Sequence, residues 1–177
     1  MTAMPASSST LVPGLALALF RMGFGILYLH MAWQKAPWIV TDGHRFGWLY
    51  GYIEKEIAHP TFGWYAAFLK GVVLPNFTLF GYMSFFTELV LGASLLLGLF
   101  TVLGGLGGAL WMVNIMLGSY SIPGEWPWLW FLLIAPQLVF AHAHAGRVLG
   151  IDALLHRRLA AAPAERGAIS QAVLKVA

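Results

Sequence analysis

Cysteine is absent from the chain, and charged residues are scarce. None of the 177 residues is cysteine, which excludes disulfides, thiolate metal ligands, iron–sulfur clusters and covalently attached c-type haem. The net charge of +3 is small and dispersed, so no nucleic-acid partner is predicted. Only 10% of the residues are charged and 59% are hydrophobic, whereas a soluble domain carries about 25% charge. The composition therefore predicts an integral membrane protein with lipid as its immediate partner.

Four apolar stretches predict an all-α membrane protein with a bundle of four transmembrane helices. The predicted spans cover about residues 11–34, 79–99, 102–118 and 128–145, within a single membrane domain of residues 1–177. The apolar run 79–118 would reach about 60 Å as one helix, twice the thickness of the bilayer core, so it must turn near 100–105. The sequence GGLGG at 104–108 follows this turn and favours close helix packing over a phosphate loop.

The distribution of lysine and arginine predicts the orientation in the membrane. Five basic residues follow the fourth span; they are Arg147, Arg157, Arg158, Arg166 and Lys175. By the positive-inside rule both termini and the tail 146–177 are predicted to be cytoplasmic, and residues 37–76 form an outer loop.

The outer loop is rich in aromatic residues and carries charges of both signs. Phe46, Leu49, Tyr50 and Ile53 fit one face of a short amphipathic helix, and a second short helix is predicted around residues 64–73. The two helices either form a cap over the bundle or simply cover its outer surface, and the sequence leaves both interpretations open.

The first two predicted spans each carry a face of small and polar residues. In span one this face consists of Arg21, Gly25, Tyr28, Ala32 and Lys35, and in span two of Gly81, Ser84, Glu88, Gly92 and Leu95. Small residues allow close approach of another helix, so both faces are predicted to look into the bundle. Glu88 is the only acid within a predicted span.

Four strongly polar residues come out at similar predicted depth, one on each span: Arg21, Glu88, Asn114 and Gln137. One interpretation is a structural lock, in which Arg21 pairs with Glu88 and the two amides complete the hydrogen bonds. The other is a ligand site that faces a quinone headgroup or passes protons, with Arg21, Glu88 and Asn114 as the candidate catalytic residues.

Candidates for binding a quinone are Tyr28, His30, Trp33 and Lys35, on the part of span one nearest its outer end. The imidazole of His30 either hydrogen-bonds a quinone carbonyl or is simply solvated. His142 and His144 are two residues apart and cannot bind one ion from the same helix face, so no metal is predicted. Haem with His30 or His142 as axial ligand is a less favoured alternative, because no two helices carry paired histidines at matched depth.

Four segments form a distinctive combination. They are "FRMGFGILYLHMAWQK" in span one, "FLKGVVLPNFTLFGYMSFFTELVLGASLLLGLFT" leading through span two, "MVNIML" in span three and "AGRVLGIDALL" after span four. Together they resemble the DoxX/DoxD family, in particular the DoxD small membrane subunit of thiosulfate:quinone oxidoreductase. The polar positions that match the family pattern are Arg21, Lys35, Glu88, Asn114, Arg147 and Asp152.

The resemblance implies a small multi-pass subunit of a bacterial or archaeal cell membrane that works with other protein subunits in sulfur and quinone redox chemistry. In one hypothesis the chain is a thiosulfate dehydrogenase (quinone)-like small subunit, with a quinone or sulfur-anion site near the bundle. In the alternative it is a non-catalytic accessory or structural subunit of a larger respiratory or photosynthetic complex. A transporter is disfavoured, since four short spans show no inverted repeat.

Overall fold

The computed structural model describes residues 14–161, most of which are helical. The helices are α1 (Leu15–Gln34), α2 (Leu49–Ala58), α3 (Gly63–Phe68), α4 (Phe77–Leu97), α5 (Thr101–Ser119), α6 (Pro127–His142) and α7 (Ile151–Ala161). A π-helical turn, Leu69–Val73, continues α3, and a 3-10 turn, Ala145–Arg147, follows α6. Two short antiparallel strands, β1 (Val40–Thr41) and β2 (His44–Arg45), follow α1. The predicted start of span one at residue 11 and the tail beyond residue 161 lie outside the described residues.

Three helices in the described part of the chain are long and apolar enough to cross a membrane: α1, α4 and α5. Their bounds differ from the predicted spans by only a few residues where the two can be compared. Helix α6 is also apolar but has 16 residues, which correspond to about 24 Å against a bilayer core of about 30 Å. The protein is therefore a helical membrane protein with three candidate spans and one shorter apolar helix.

Helices α1 and α4 pack closely and antiparallel through glycines. A Cβ atom on Gly25 of α1 would collide with the backbone of Leu96, and one on Gly92 of α4 would collide with Leu29. The two predicted small and polar faces are buried here, from Arg21 to Lys35 on α1 and from Gly81 to Leu95 on α4. The prediction that both faces look into the bundle is confirmed.

Helix α6 runs back along α5 from one end of the bundle to the other. The glycines of GGLGG allow this contact, because a Cβ on Gly105 would meet the backbone of Gln137 and Ala141. The core of the bundle lies between these helices and α1 and α4; its buried residues are Phe24, Tyr28, Leu91, Leu95, Met112, Phe140 and Ala145.

Residues 37–76, here named the cap segment, fold against one end of the bundle. They contain the strand pair, α2 and α3, and they have a small apolar core of their own with Ile53, Tyr65, Leu69 and Val73. The fully buried ring of Phe46 sits on Gly81 of α4, where no larger residue would leave room for it.

The opposite end of the bundle is closed by α7. Both oxygens of Asp152 accept hydrogen bonds from the start of α5, from the backbone N–H groups of Phe100 (2.7 Å) and Thr101 (2.9 Å). The cap segment and α7 therefore lie at opposite ends of α5.

Candidate functional site

A buried ion pair joins the end of α1 to the middle of α4. The ammonium group of Lys35 donates a hydrogen bond to Oε1 of Glu88, and the indole N–H of Trp111 donates to the same oxygen at 3.2 Å. Lys35 is 2% exposed and Glu88 is fully buried. The other oxygen of Glu88, Oε2, is buried without a hydrogen-bond partner among residues 14–161. Lys35 follows the last residue of α1, so its position depends on how the chain enters the cap segment.

Beside this pair is a cavity of about 190 Å³ between the bundle and the cap segment. Its polar lining comes from Lys35, Tyr52, Glu56, Tyr65, Ser84 and Asn114, and its aromatic walls include Trp48, Phe68, Phe80 and Trp111. Phe68 and Met83, which also line the cavity, are 40% and 47% exposed on the outside of the molecule. The cavity thus reaches from the buried ion pair to the apolar surface between α3, α4 and α5.

A second carboxylate, Glu56 of α2, faces the same cavity. It is buried, and the hydroxyl of Ser119 donates a hydrogen bond of 2.6 Å to its Oε1. A Cβ on Gly118 would collide with this carboxylate, so the glycine permits its close approach to α5. Burial raises the pKa of Glu56 to about 7, while the Ser119 hydrogen bond and the Lys35 charge act in the opposite direction.

The predicted pairing of Arg21 with Glu88 is wrong. Arg21 is fully buried at the α7 end of the bundle, where its Nη2 donates to the carbonyl oxygen of Leu149 at 3.1 Å. The carboxylate of Asp152 lies near enough to stabilise its charge. Nε and Nη1 of Arg21 have no hydrogen-bond partner among the described residues.

The register of α1 against α4 explains this difference. Gly25 lies opposite Leu96 and Leu29 opposite Gly92, so residues whose numbers sum to about 121 face each other. Glu88 is therefore level with residue 33 and close to Lys35. Arg21 lies 12 residues away from that level, which is about 18 Å along a helix.

The other predicted site residues occupy separate places. The hydroxyl of Tyr28 lies in the core, where it donates a bifurcated hydrogen bond to the carbonyl oxygen of Gly108 (2.9 Å) and to Oε1 of Gln137 (3.1 Å). Asn114 lines the cavity and accepts from the hydroxyl of Tyr65 at its backbone oxygen (3.1 Å) and its Oδ1 (3.2 Å).

His30 and Trp33 are exposed on α1 and do not line the cavity. The ring nitrogen Nε2 of His30 contacts the amide of Gln34 at 3.1 Å. Of the residues predicted to bind a cofactor, Lys35 is the one that the structure places at the cavity, and the four polar residues predicted at similar depth do not converge on one point.

The sequence interpretation missed the polar residues that the cap segment adds to the cavity, chiefly Glu56, Tyr52 and Tyr65. One signal was present: Leu49, Ile53 and Glu56 follow each other at helical spacing, so the acid continues the apolar face of an amphipathic helix. A carboxylate in that position lies on the face that such a helix turns toward its packing partner.

The architecture defines a small helical membrane protein with a polar cavity beneath a folded cap segment. The family model described as TQO small subunit DoxD matches residues 17–175. The chain belongs to the DoxD family. No curated protein and no solved structure gave a significant match.

Proposed function

We propose that the chain is the quinone-binding membrane subunit of a complex similar to thiosulfate:quinone oxidoreductase, which is the enzyme that its family description abbreviates as TQO. The observation that carries the proposal is the cavity beside the Lys35–Glu88 pair, with its aromatic walls and its rim at the apolar surface. At about 190 Å³ it is smaller than the roughly 300–1,000 Å³ of sites that enclose a whole drug-sized ligand. It suits a headgroup whose apolar tail extends into lipid.

The charges around the cavity favour a neutral ligand over a sulfur anion. Lys35 is the one cation among the lining residues, and it already pairs with Glu88 while a second carboxylate, Glu56, faces the same space. A thiosulfate dianion would find no unpaired cation in this poorly solvated site to offset the cost of its desolvation. We therefore place the sulfur anion outside this cavity, on another surface or on a partner subunit.

The lining residues supply what a quinone headgroup needs. The ammonium group of Lys35 has three donors and uses one on Glu88, so the others can donate to a quinone carbonyl oxygen. The aromatic side chains Trp48 and Trp111 offer flat apolar surfaces against which a ring packs. A quinone in this place would accept two electrons and two protons. Lys35 would stabilise the negative charge that develops on its oxygen during reduction.

The proposed arrangement in the membrane has four spans. Helix α6 lies antiparallel to α5 along its length, with Gln137 and Ala141 against Gly105. We propose that it crosses the bilayer with α5 although it is short. The cap segment would lie at the outer surface of the membrane, level with the lipid headgroups, and both chain ends would lie in the cytoplasm.

Quinone binding by the purified chain tests the proposal. The detergent-solubilised protein is titrated with a short-tailed ubiquinone analogue and with menadione, and quenching of tryptophan fluorescence reports occupancy near Trp48 and Trp111. We expect saturable quenching that Ile115→Phe weakens at least 10-fold, because Ile115 lines the cavity and a larger side chain fills it. The control Leu106→Phe lies on the same helix but faces outward, and it should leave binding unchanged.

Absence of saturable quenching, or equal effects of the two substitutions, would overturn the quinone assignment. The accessory-subunit alternative would then be supported if the chain remains in a stoichiometric membrane complex when that complex is extracted in mild detergent.

A further inference from the structure

Glu56 is a buried acid without a cation of its own among the residues that line the cavity. The one cation of that lining, Lys35, already pairs with Glu88. Lys35 acts electrostatically on both Glu56 and Glu88. Of the two acids, Glu88 accepts directly from the ammonium group and from Trp111, whereas the hydrogen-bond donor that the structure gives Glu56 is the neutral Ser119 hydroxyl. Glu88 is therefore the better stabilised anion, and Glu56 is the acid that holds a proton most easily.

Polar side chains lie between Glu56 and the surface on the side of Tyr52. Tyr52, one turn earlier on α2, lines the cavity, and its hydroxyl donates to Oε1 of Glu125 at 3.0 Å. Glu125 is half-buried in the loop between α5 and α6. Both carboxylates act on the Tyr52 hydroxyl, whose pKa is raised to about 12 mainly by burial, so it remains a proton donor at neutral pH.

We propose that Glu56 is the proton donor of the cavity, giving its proton to the oxygen of the reduced quinone and regaining one through the Tyr52 and Glu125 side of the cap segment. This inference rests on the proposed quinone site. In the step, the O–H bond of the Glu56 carboxyl breaks and an O–H bond forms on the quinone oxygen. The two electrons come from the sulfur-anion reductant of the proposed complex, and the second proton comes from water.

The groups that face Glu56 come from every element packed around it. They are Tyr52 on its own helix, Lys35 at the end of α1, Tyr65 on α3, and Ser119 on α5, with Glu88 of α4 behind Lys35 and Glu125 beyond Tyr52. Lys35 is the one cation in this described set, and it pairs with Glu88. Ionisation of Glu56 would therefore bury a second negative charge without its own counter-ion, which favours the protonated carboxyl near neutral pH. The raised pKa of Glu56, about 7, agrees with that charge count.

The first test is infrared spectroscopy of the purified protein without added quinone, titrated from pH 5 to pH 9. We expect a protonated-carboxyl C=O band that disappears with a midpoint near pH 7 and is absent from Glu56→Gln. The matched control is Glu54→Gln, since Glu54 is exposed on the same helix, and this variant should keep the band. A titrating band that survives in Glu56→Gln would overturn the proposal.

The second test reduces the bound short-tailed ubiquinone analogue with dithionite and follows the rate against pH. In the parent protein the rate should fall above pH 7, and Glu56→Gln should be about 10²-fold slower at pH 6 and independent of pH. Normal fluorescence quenching in the variant shows that the headgroup still binds. If Glu56→Gln binds the quinone normally and is reduced at the parent rate, the role of Glu56 is overturned but the quinone site is not. If the parent protein itself does not bind the quinone, the proposed function is overturned.

Discussion

At the residue scale, three ionisable side chains share one buried region. Lys35, Glu56 and Glu88 are 2%, 7% and 0% exposed, and together they carry one positive and up to two negative charges. Each charge is costly to bury alone, so the consequences of removing one depend on which partners remain. Because both carboxylates interact with the same ammonium group, substitutions at the three positions should differ in their effect on stability.

Removing Lys35 should destabilise the protein more than removing Glu88. Lys35→Met leaves Glu88 buried without a cation, and we expect a loss of about 3–5 kcal/mol in the free energy of unfolding. Glu88→Gln should cost less, because Lys35 can still interact with Glu56. The double variant Lys35→Met/Glu88→Met should recover part of the loss. Denaturation in detergent measures all three, and a larger loss for Glu88→Gln than for Lys35→Met would contradict the shared cation.

The raised pKa of Glu56 predicts how stability depends on pH. Between its ordinary value of 4.5 and about 7 the folded protein binds the proton more tightly than the unfolded chain does. Stability should therefore fall as pH rises through this window, by about 3 kcal/mol in total, and stay level above it. Glu56→Gln should remove this fall, and Glu54→Gln should retain it. Unfolding curves from pH 4.5 to pH 8 check this, and parallel profiles for the parent and Glu56→Gln would refute it.

At the scale of elements, α5 depends on α7 for the cap at its N-terminus. Its own N-cap residue, Phe100, has a left-handed backbone and no capping side chain, so the carboxylate of Asp152 accepts the first free N–H groups instead. The negative charge there also complements the positive end of the helix dipole.

Loss of this cap should weaken the α7 end of the bundle. Asp152→Ala removes two charge-assisted hydrogen bonds and should lower the free energy of unfolding by about 3 kcal/mol, while Asp152→Asn keeps one acceptor oxygen and should lose less. The exposed-site control Glu54→Ala should change little. Thermal denaturation in detergent provides the comparison. A stability of Asp152→Ala within about 0.5 kcal/mol of the parent would show that α5 does not need the cap.

The helices and their buried faces could be predicted from the sequence because both depend on local patterns. Apolar runs set the positions of α1, α4 and α5, and the spacing of small residues identified the faces that the structure buries. The register between α1 and α4 could not be predicted, since it depends on which glycine meets which side chain across the interface. The predicted depth of each residue in the membrane puts Arg21 beside Glu88. In the structure the contacts of Gly25 and Gly92 set a register in which Lys35 lies there instead.

The candidate site could be predicted only in part, because it is formed by two segments far apart in the chain. Lys35 and Asn114 were identified, and both line the cavity, but Glu56 contributes through the fold of the cap segment. Neither the contact of Glu56 with Ser119 nor the room that Gly118 provides follows from periodicity within α2.

At the scale of the whole molecule, the two ends of the bundle have different roles. The cap segment covers the end that contains Lys35, Glu88 and the cavity, and α7 closes the end that contains Arg21. Arg147, Arg157 and Arg158 lie at the α7 end, which the positive-inside rule predicts to be the cytoplasmic one. The proposed quinone site is then nearer the outer face of the membrane.

Single-cysteine labelling tests this arrangement and the crossing of α6 together, because the parent chain has no cysteine to interfere. Cysteines at the exposed positions His59 and Ser121 should react with a membrane-impermeant maleimide from outside, and those at Arg157 and Ala143 only after the membrane is opened. The control Leu110→Cys, 71% exposed on the apolar surface of α5, should react poorly in either case because it faces lipid. Because α6 packs antiparallel along α5, Ser121 and Ala143 should lie on opposite sides despite its 16 residues. Labelling of both from one side would exclude the crossing of α6 and leave three spans.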